Sequence, residues 1–144
     1  LTVIDINPEY LEIVQNRYKD MLPDLETIEA DLNDYQGNDQ QYALIFAGLI
    51  FEYLAPKRLL GNISNWLEKA GIMVVVLQLQ DKYKMKVSET PYSSLKLLEP
   101  IMNLISGQDF KQMAKESGLM ELKGSNVTLD SGKTFYIGVY AKVA

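Results

Sequence analysis

The first nine residues constrain this chain more than any other stretch. Leu1 to Ile6 is a compact, β-branched apolar run with no polar alternation, the pattern of a parallel strand covered on both faces. Asn7-Pro8-Glu9 follows at once and reads as a helix start, with Asn as cap, Pro at the first helical position and an acid in the first turn. A buried strand that feeds directly into a helix is a βα unit. Its continuation must supply parallel neighbours and more helices to cover them.

The rest of the chain supplies them. Leu11, Ile13, Val14 and Tyr18 recur at helical spacing until Leu22-Pro23 closes the helix. Leu25 to Ala30 is a short strand interrupted by Glu26 and Glu29, and Asp31 to Gln41 is a polar turn region. Tyr42 to Ala47 reads as a strand, and Gly48 opens a loop into a helix. The apolar face of that helix is Leu59, Leu60, Ile63, Trp66 and Leu67, and Ala70-Gly71 is read as its end. Ile72 to Leu79 is a third buried strand. Asp81 to Tyr92 reads as a surface loop, and Ser94 to Ile105 and Gln108 to Ser117 as helices broken by Gly107 and Gly118. Leu119 to Leu129 and Thr134 to Val143 are strands, joined by the hairpin signal Asp130-Ser131-Gly132-Lys133. This order predicts an α/β fold: a Rossmann-like open, mostly parallel sheet with helices on both faces and a C-terminal antiparallel hairpin. A chain of 144 residues fits one domain, 1–144.

Composition narrows the chemistry. The chain has neither cysteine nor histidine, which removes disulfides, thiolate nucleophiles and the usual zinc ligands, so no metal site is expected. Any acid–base role falls to Asp, Glu, Tyr or Lys. A net charge of −5 argues against binding a phosphate backbone. Apolar runs are far short of a membrane span. A cytoplasmic location fits these features.

The candidate site residues lie at strand ends, where open α/β sheets bind ligands. Asp5 ends the first strand and can accept from a ribose diol, or it can simply cap its own turn. Asp31 follows the second strand in the same way, with an Asx-turn as the alternative. Gly48 follows the third strand and either lets a ligand approach the backbone or only punctuates the strand. Phe51 and Tyr53 can line an apolar pocket or belong to the core.

The segments LTVIDINPEYLEIV, IEADLNDY and YALIFAGLIFEYLAPKRLLGNISNWLEKAGIMVVVLQLQ, in this order and followed by the hairpin, resemble class I S-adenosylmethionine-dependent methyltransferases. The resemblance covers nearly the whole chain. It implies S-adenosylmethionine as cofactor. Asp5, with Ile6 beside it, would bind the ribose, Asp31 would contact adenine with Leu32 beside the ring, and Gly48 would stand near the cofactor. It places Glu52 near the methyl, as a candidate base, the alternative being a solvated residue at a helix start. Tyr92 falls in the family's substrate-facing insert, with a core or surface role as the alternative, and Phe51 and Tyr53 are the other residues read toward the acceptor. It also implies that the last strand inserts antiparallel beside the fifth strand of the family's sheet.

Two departures stand out. No Gly-x-Gly-x-Gly loop occurs in the chain. The family's first βα unit, which carries that loop and the central strand, would therefore precede Leu1, and the first strand seen here answers to the family's second. The fourth strand opens Tyr42-Ala43 where an aromatic-Asp pair is common. With the central strand lacking, the edges of the first and third strands seen here should either pair directly or recruit a second copy. The reading is methyl transfer to a small-molecule acceptor by in-line displacement driven mainly by positioning, with no nucleic-acid or membrane partner. The 144 residues alone are expected to bind cofactor weakly or not at all. The alternatives are an NAD-dependent oxidoreductase-like domain and a non-catalytic assembly module that keeps the fold.

Overall fold

A computed structural model of the chain describes residues 1–79 and 100–143. Its elements are β1 (Thr2–Asp5), α1 (Pro8–Tyr18), β2 (Glu26–Glu29), β3 (Tyr42–Gly48), a 3-10 turn (Phe51–Tyr53), α2 (Pro56–Trp66), β4 (Leu67–Gln78), α3 (Gly107–Glu116), β5 (Leu119–Thr128) and β6 (Thr134–Lys142). The chain divides into two compact units, Leu1–Gly37 and Asn38–Ala144.

In the first unit β1 and β2 pair in parallel, with Thr2 opposite Glu26 and Asp5 opposite Glu29. The helix between them begins where the sequence says it must. The Asn7 side chain accepts from the Glu9 N–H at 2.9 Å, and Pro8 occupies the first turn. Leu11 and Leu25 are the buried apolar residues of this unit. The helix ends at Tyr18, a turn earlier than Leu22-Pro23 predicts.

In the second unit the strand order is β3-β4-β6-β5. β3 runs parallel to β4, and β6 is antiparallel to both β4 and β5. Three strands therefore share one direction, and the last strand of the chain lies inserted between two of them. The terminal hairpin is present, with Gly132 at φ 80° in its turn. The described strands fall into two sheets, one in each unit, and β3 is an edge of the larger one.

Alternation along β4 and β6 creates the core. Met73, Val75 and Leu77 of β4 and Tyr136 and Tyr140 of β6 are buried on one face. Leu59, Leu60, Ile63 and Trp66 of α2 and Phe110 of α3 are also buried. Phe110 meets Phe51 edge to face at 4.8 Å and Tyr140 at 5.7 Å. Two glycines make room for the tyrosines: a Cβ on Gly138 would stand 2.6 Å from the Tyr140 ring and 2.8 Å from that of Tyr136, and one on Gly124 would stand 3.0 Å from the Tyr136 ring. The opposite face carries Leu44 and Phe46, which are 59% and 67% exposed.

Two boundaries differ from expectation. α2 stops at Trp66 rather than at Ala70-Gly71, because Leu67 turns extended and opens β4. The Lys142 ammonium donates to the Leu67 carbonyl at 2.7 Å. β3 advances two residues between its pairs with Leu67 and Ile72, whereas β4 advances five, so Glu68, Lys69 and Ala70 bulge out exposed. Ala70 takes φ 61°. Gly71 is no helix cap; it is buried where a Cβ would lie 3.0 Å from the carbonyls of Glu68 and Tyr42. Gly107 is likewise no break but the first residue of α3, which Ser106 caps by accepting from the Asp109 N–H at 3.0 Å. Residues 102–105, read from sequence as the end of a helix, are not helical.

The left-handed Ala70 yields a prediction. Relief of left-handed strain favours glycine by about 1–2 kcal/mol, and the freer unfolded chain returns about 0.4–1 kcal/mol of that. Ala70→Gly should therefore raise stability by roughly 0.5–1 kcal/mol, read as a higher urea midpoint with an unchanged slope. A lower midpoint would count against the bulge.

Candidate functional site

At the carboxyl end of the small sheet, two aspartates share one design. Asp5 is the last residue of β1, and its Oδ1 accepts from the Asn7 N–H at 2.8 Å. Asp31 lies two residues past β2, and its Oδ1 accepts from the Asn33 N–H at 2.8 Å. Both are Asx-turns. The Ala30 N–H donates to the Asp5 carbonyl at 3.1 Å, which fixes the two acids on neighbouring strand ends. Each half-buried carboxylate spends one oxygen on its own turn, and Oδ2 of each takes no hydrogen bond among the described residues. Ile6 beside Asp5 is 65% exposed, and Leu32 beside Asp31 is half-buried. The two strand ends therefore carry two carboxylate oxygens without a hydrogen bond among the described residues, each acid followed by an apolar residue, a set of groups that suits a diol and a heterocycle.

The second unit holds the other candidates. Gly48 ends β3, and a Cβ there would meet only the ring of Phe46, at 2.7 Å. That ring is largely exposed and can turn aside, so Gly48 leaves the strand end open for reasons other than core packing. Leu49 follows with φ 56°, its N–H donating to the Val76 carbonyl at 2.9 Å. A leucine in the left-handed region stores strain of about 1–3 kcal/mol, a cost found mostly at functional loops.

Phe51 is fully buried against Phe110, so it is a core residue rather than the wall of an open pocket. Glu52 is also fully buried. Its Oε1 accepts from the Gln78 N–H at 2.7 Å, and its carbonyl accepts from the Asn103 N–H at 2.8 Å. Its Oε2 is buried without a hydrogen-bond partner among the described residues. Desolvation raises its pKa against the lowering effect of the Gln78 N–H and, less, of its own backbone N–H. Tyr53 is half-buried, and desolvation followed by the neighbouring Glu52 charge pushes its hydroxyl pKa up. Tyr92 lies outside the described residues.

One cluster was invisible in sequence. The Tyr136 hydroxyl donates to Glu121 Oε2 at 2.6 Å and lies 2.8 Å from the Tyr140 hydroxyl, while the Lys111 ammonium holds Glu121 Oε1 at 2.8 Å. Burial, before any other cause, pushes Tyr140 up to about 12 and Tyr136 higher still. The lysine, then the tyrosine, lowers Glu121. The register that aligns these side chains comes from the β5–β6 pairing, with Glu121 opposite Tyr140. Only the spacing of Tyr136 and Tyr140 about Gly138 could have signalled it. Among the described residues no group of three or more carboxylates could hold a metal ion, and no helix is long and apolar enough to cross a membrane.

The raised pKa of Glu52 has a testable sign. Its folded value lies above the ordinary 4.5. Its contribution to stability is therefore fully present below about pH 4.5 and is lost as pH rises through the folded value. Tyr53 is the titratable group whose charge coupling accompanies it. Thermal melts against pH should show this downward step, and Glu52→Gln should remove it. A step that persists in the variant would assign it elsewhere.

Residues 1–71, just under half of the chain, match a family model described as a methyltransferase domain. No curated protein matches. Solved structures share the fold at low identity. The N-methyltransferase NodS from Bradyrhizobium japonicum WM9, in complex with S-adenosyl-L-homocysteine, aligns with TM-score 0.73 and 14% identity over 99% of this chain and 66% of that one. The 1,6-didemethyltoxoflavin-N1-methyltransferase of Burkholderia thailandensis, with bound 1,6-didemethyltoxoflavin and S-adenosylhomocysteine, gives 0.72 and 10% over 99% and 61%. The cyclase SpnF gives 0.75 and 11% over 99% and 66%. The chain thus spans somewhat less than two thirds of these proteins' length. The resemblance to class I methyltransferases holds in both the family match and the fold.

Proposed function

We propose that this chain is part of an S-adenosylmethionine-dependent methyltransferase acting on a small-molecule acceptor, with both units belonging to one catalytic domain. The observation that carries the reading is the pair of free Oδ2 atoms on Asp5 and Asp31, flanked by Ile6 and Leu32 on adjacent strand ends. These residues fit a nucleoside. Asp5 accepts from the ribose diol, Asp31 accepts from the adenine amino group, and the two apolar side chains bracket the ring. Gly48 gives the backbone room at the end of β3. The match of residues 1–71 to a methyltransferase domain and the inserted antiparallel β6 support the same reading.

The cofactor supplies a methyl group on a sulfonium, whose departure needs no further activation. What this chain contributes is placement, and orientation alone can offset about 7–11 kcal/mol of barrier. Tyr53 and, outside the described residues, Tyr92 are the proposed acceptor contacts. An acidic chain without cysteine suits a small acceptor in the cytoplasm rather than nucleic acid.

Calorimetric titration of S-adenosylhomocysteine into the full-length gene product tests this. Asp5→Asn keeps the acceptor for the Asn7 N–H but replaces the free acceptor with a donor. It should weaken binding about ten- to hundredfold, the worth of one or two charge-assisted hydrogen bonds, without a change in melting temperature. Unchanged affinity would place the ribose elsewhere, and binding of NAD instead would favour the oxidoreductase reading.

The open edge of β3 supports a further part of the proposal. Tyr42–Gly48 contains no lysine, proline or other guard against edge pairing, and its Leu44 and Phe46 are exposed. The 144 residues alone are proposed to self-associate there. Sedimentation should show a concentration-dependent dimer that Phe46→Lys abolishes. A monomer at high concentration would rule this out.

A further inference from the structure

Glu52 is the one fully buried carboxyl among the described residues, and methyl transfer as derived above leaves it without a task. Its surroundings give it one. The turn it sits in is poorly secured by its own sequence. Leu49 is left-handed, the 3-10 turn Phe51–Tyr53 is a single turn, and Ile50 at its start provides no side-chain cap. A strained conformation persists only where the surroundings over-determine it. Here the surroundings are three hydrogen bonds reaching β4 and the chain at Asn103. The Leu49 N–H donates to the Val76 carbonyl, the Gln78 N–H donates to Glu52 Oε1, and the Asn103 N–H donates to the Glu52 carbonyl. Two of the three belong to Glu52.

We propose that Glu52 is a positioning residue whose carboxyl ties the strained turn after β3 to the carboxyl end of β4, fixing where Gly48 and Tyr53 stand at the ligand-facing rim. It does so by shape rather than by charge. One oxygen is committed to the Gln78 N–H, and the other lies buried without a hydrogen-bond partner among the described residues. A carboxylate there would be a buried charge held by backbone N–H groups alone, those of Gln78 and of Glu52 itself, whereas the neutral acid keeps the Oε1 acceptor and reduces that cost. The same burial bars Glu52 from the role of general base, since a base must reach the proton it takes. The inference deepens the methyltransferase reading by assigning a residue that shapes its acceptor end, and the tie itself is measurable whether or not that reading holds.

The test crosses geometry against acidity. Glu52→Gln loses the acid but keeps an oxygen at the same reach. Glu52→Asp keeps the acid but is one methylene too short to meet the Gln78 N–H. Hydrogen exchange on the full-length gene product reads the Gln78 amide directly, and titration with S-adenosylhomocysteine reads the rim. The Gln variant should match wild type in both. The Asp variant should exchange at Gln78 about tenfold faster, the worth of one hydrogen bond, and bind the probe more weakly, while amides of Met73 and Val75 keep their protection. If Asp matches wild type and Gln does not, acidity is what matters and the proposal is overturned. If neither variant alters Gln78, the tie does not exist. Absence of probe binding in every form, wild type included, would sink the methyltransferase reading and leave the exchange pattern to judge Glu52.

Discussion

The pairing of β4 with β6 is the constraint on which the larger unit depends. β4 is parallel to β3 on one side and antiparallel to β6 on the other, so within the larger sheet it joins β3 to the terminal hairpin. Register then decides which side chains meet. Met73 faces Tyr140, Val75 faces Gly138 and Leu77 faces Tyr136, and a slip of one residue would send each to the other face. Gly138 is the hinge of this packing, because any side chain there would collide with two tyrosine rings. With those rings in place, Phe110 has a wall to pack against, Phe51 packs on Phe110, and the turn after β3 acquires its anchor.

The small sheet of the first unit has its own local geometry. At its strand ends each aspartate satisfies its own turn with one oxygen and leaves the other without a hydrogen bond among the described residues. The Asx-turns of Asp5 and Asp31 therefore do not compete with the ligand contacts proposed for them. The turn holds the carboxylate through one oxygen, and the proposed contact would use the other. Gly48 differs, since the atoms nearest to a Cβ placed there belong to the exposed ring of Phe46.

Much of this was legible in the residues. The apolar run before Asn7-Pro8, the helical face from Leu59 to Trp66, and the turn at Asp130 to Lys133 each carry their own local signal, and each element formed where that signal lies. What could not be read was decided by partners distant in sequence. α2 ends early because Leu67 is claimed by β3 and by Lys142, 75 residues away. Gly71 carries the look of a helix cap but serves the close approach of the Tyr42 carbonyl. Ser106-x-x-Asp109 held a capping signal that the neighbouring glycine masked. The candidate rim residues Asp5 and Asp31 were visible because strand ends are visible. The burial of Phe51 and Glu52 was not, because a 3-10 turn has no periodicity to betray which way its side chains point.

Glu52 shows how far burial changes the meaning of a residue type. In sequence, an acid four residues past a strand-end glycine in a chain without histidine is the natural candidate for a base. In the fold the same acid lies beneath the turn, not upon it. Removal from water disfavours its charge, a backbone N–H claims one oxygen, and the strained Leu49 above it needs a fixed support. Each of these lowers its value as a proton acceptor and raises its value as a tether. A displacement whose leaving group already departs readily would gain more from a fixed rim than from a base, and under the proposed methyl transfer a buried tether at this turn suits that need.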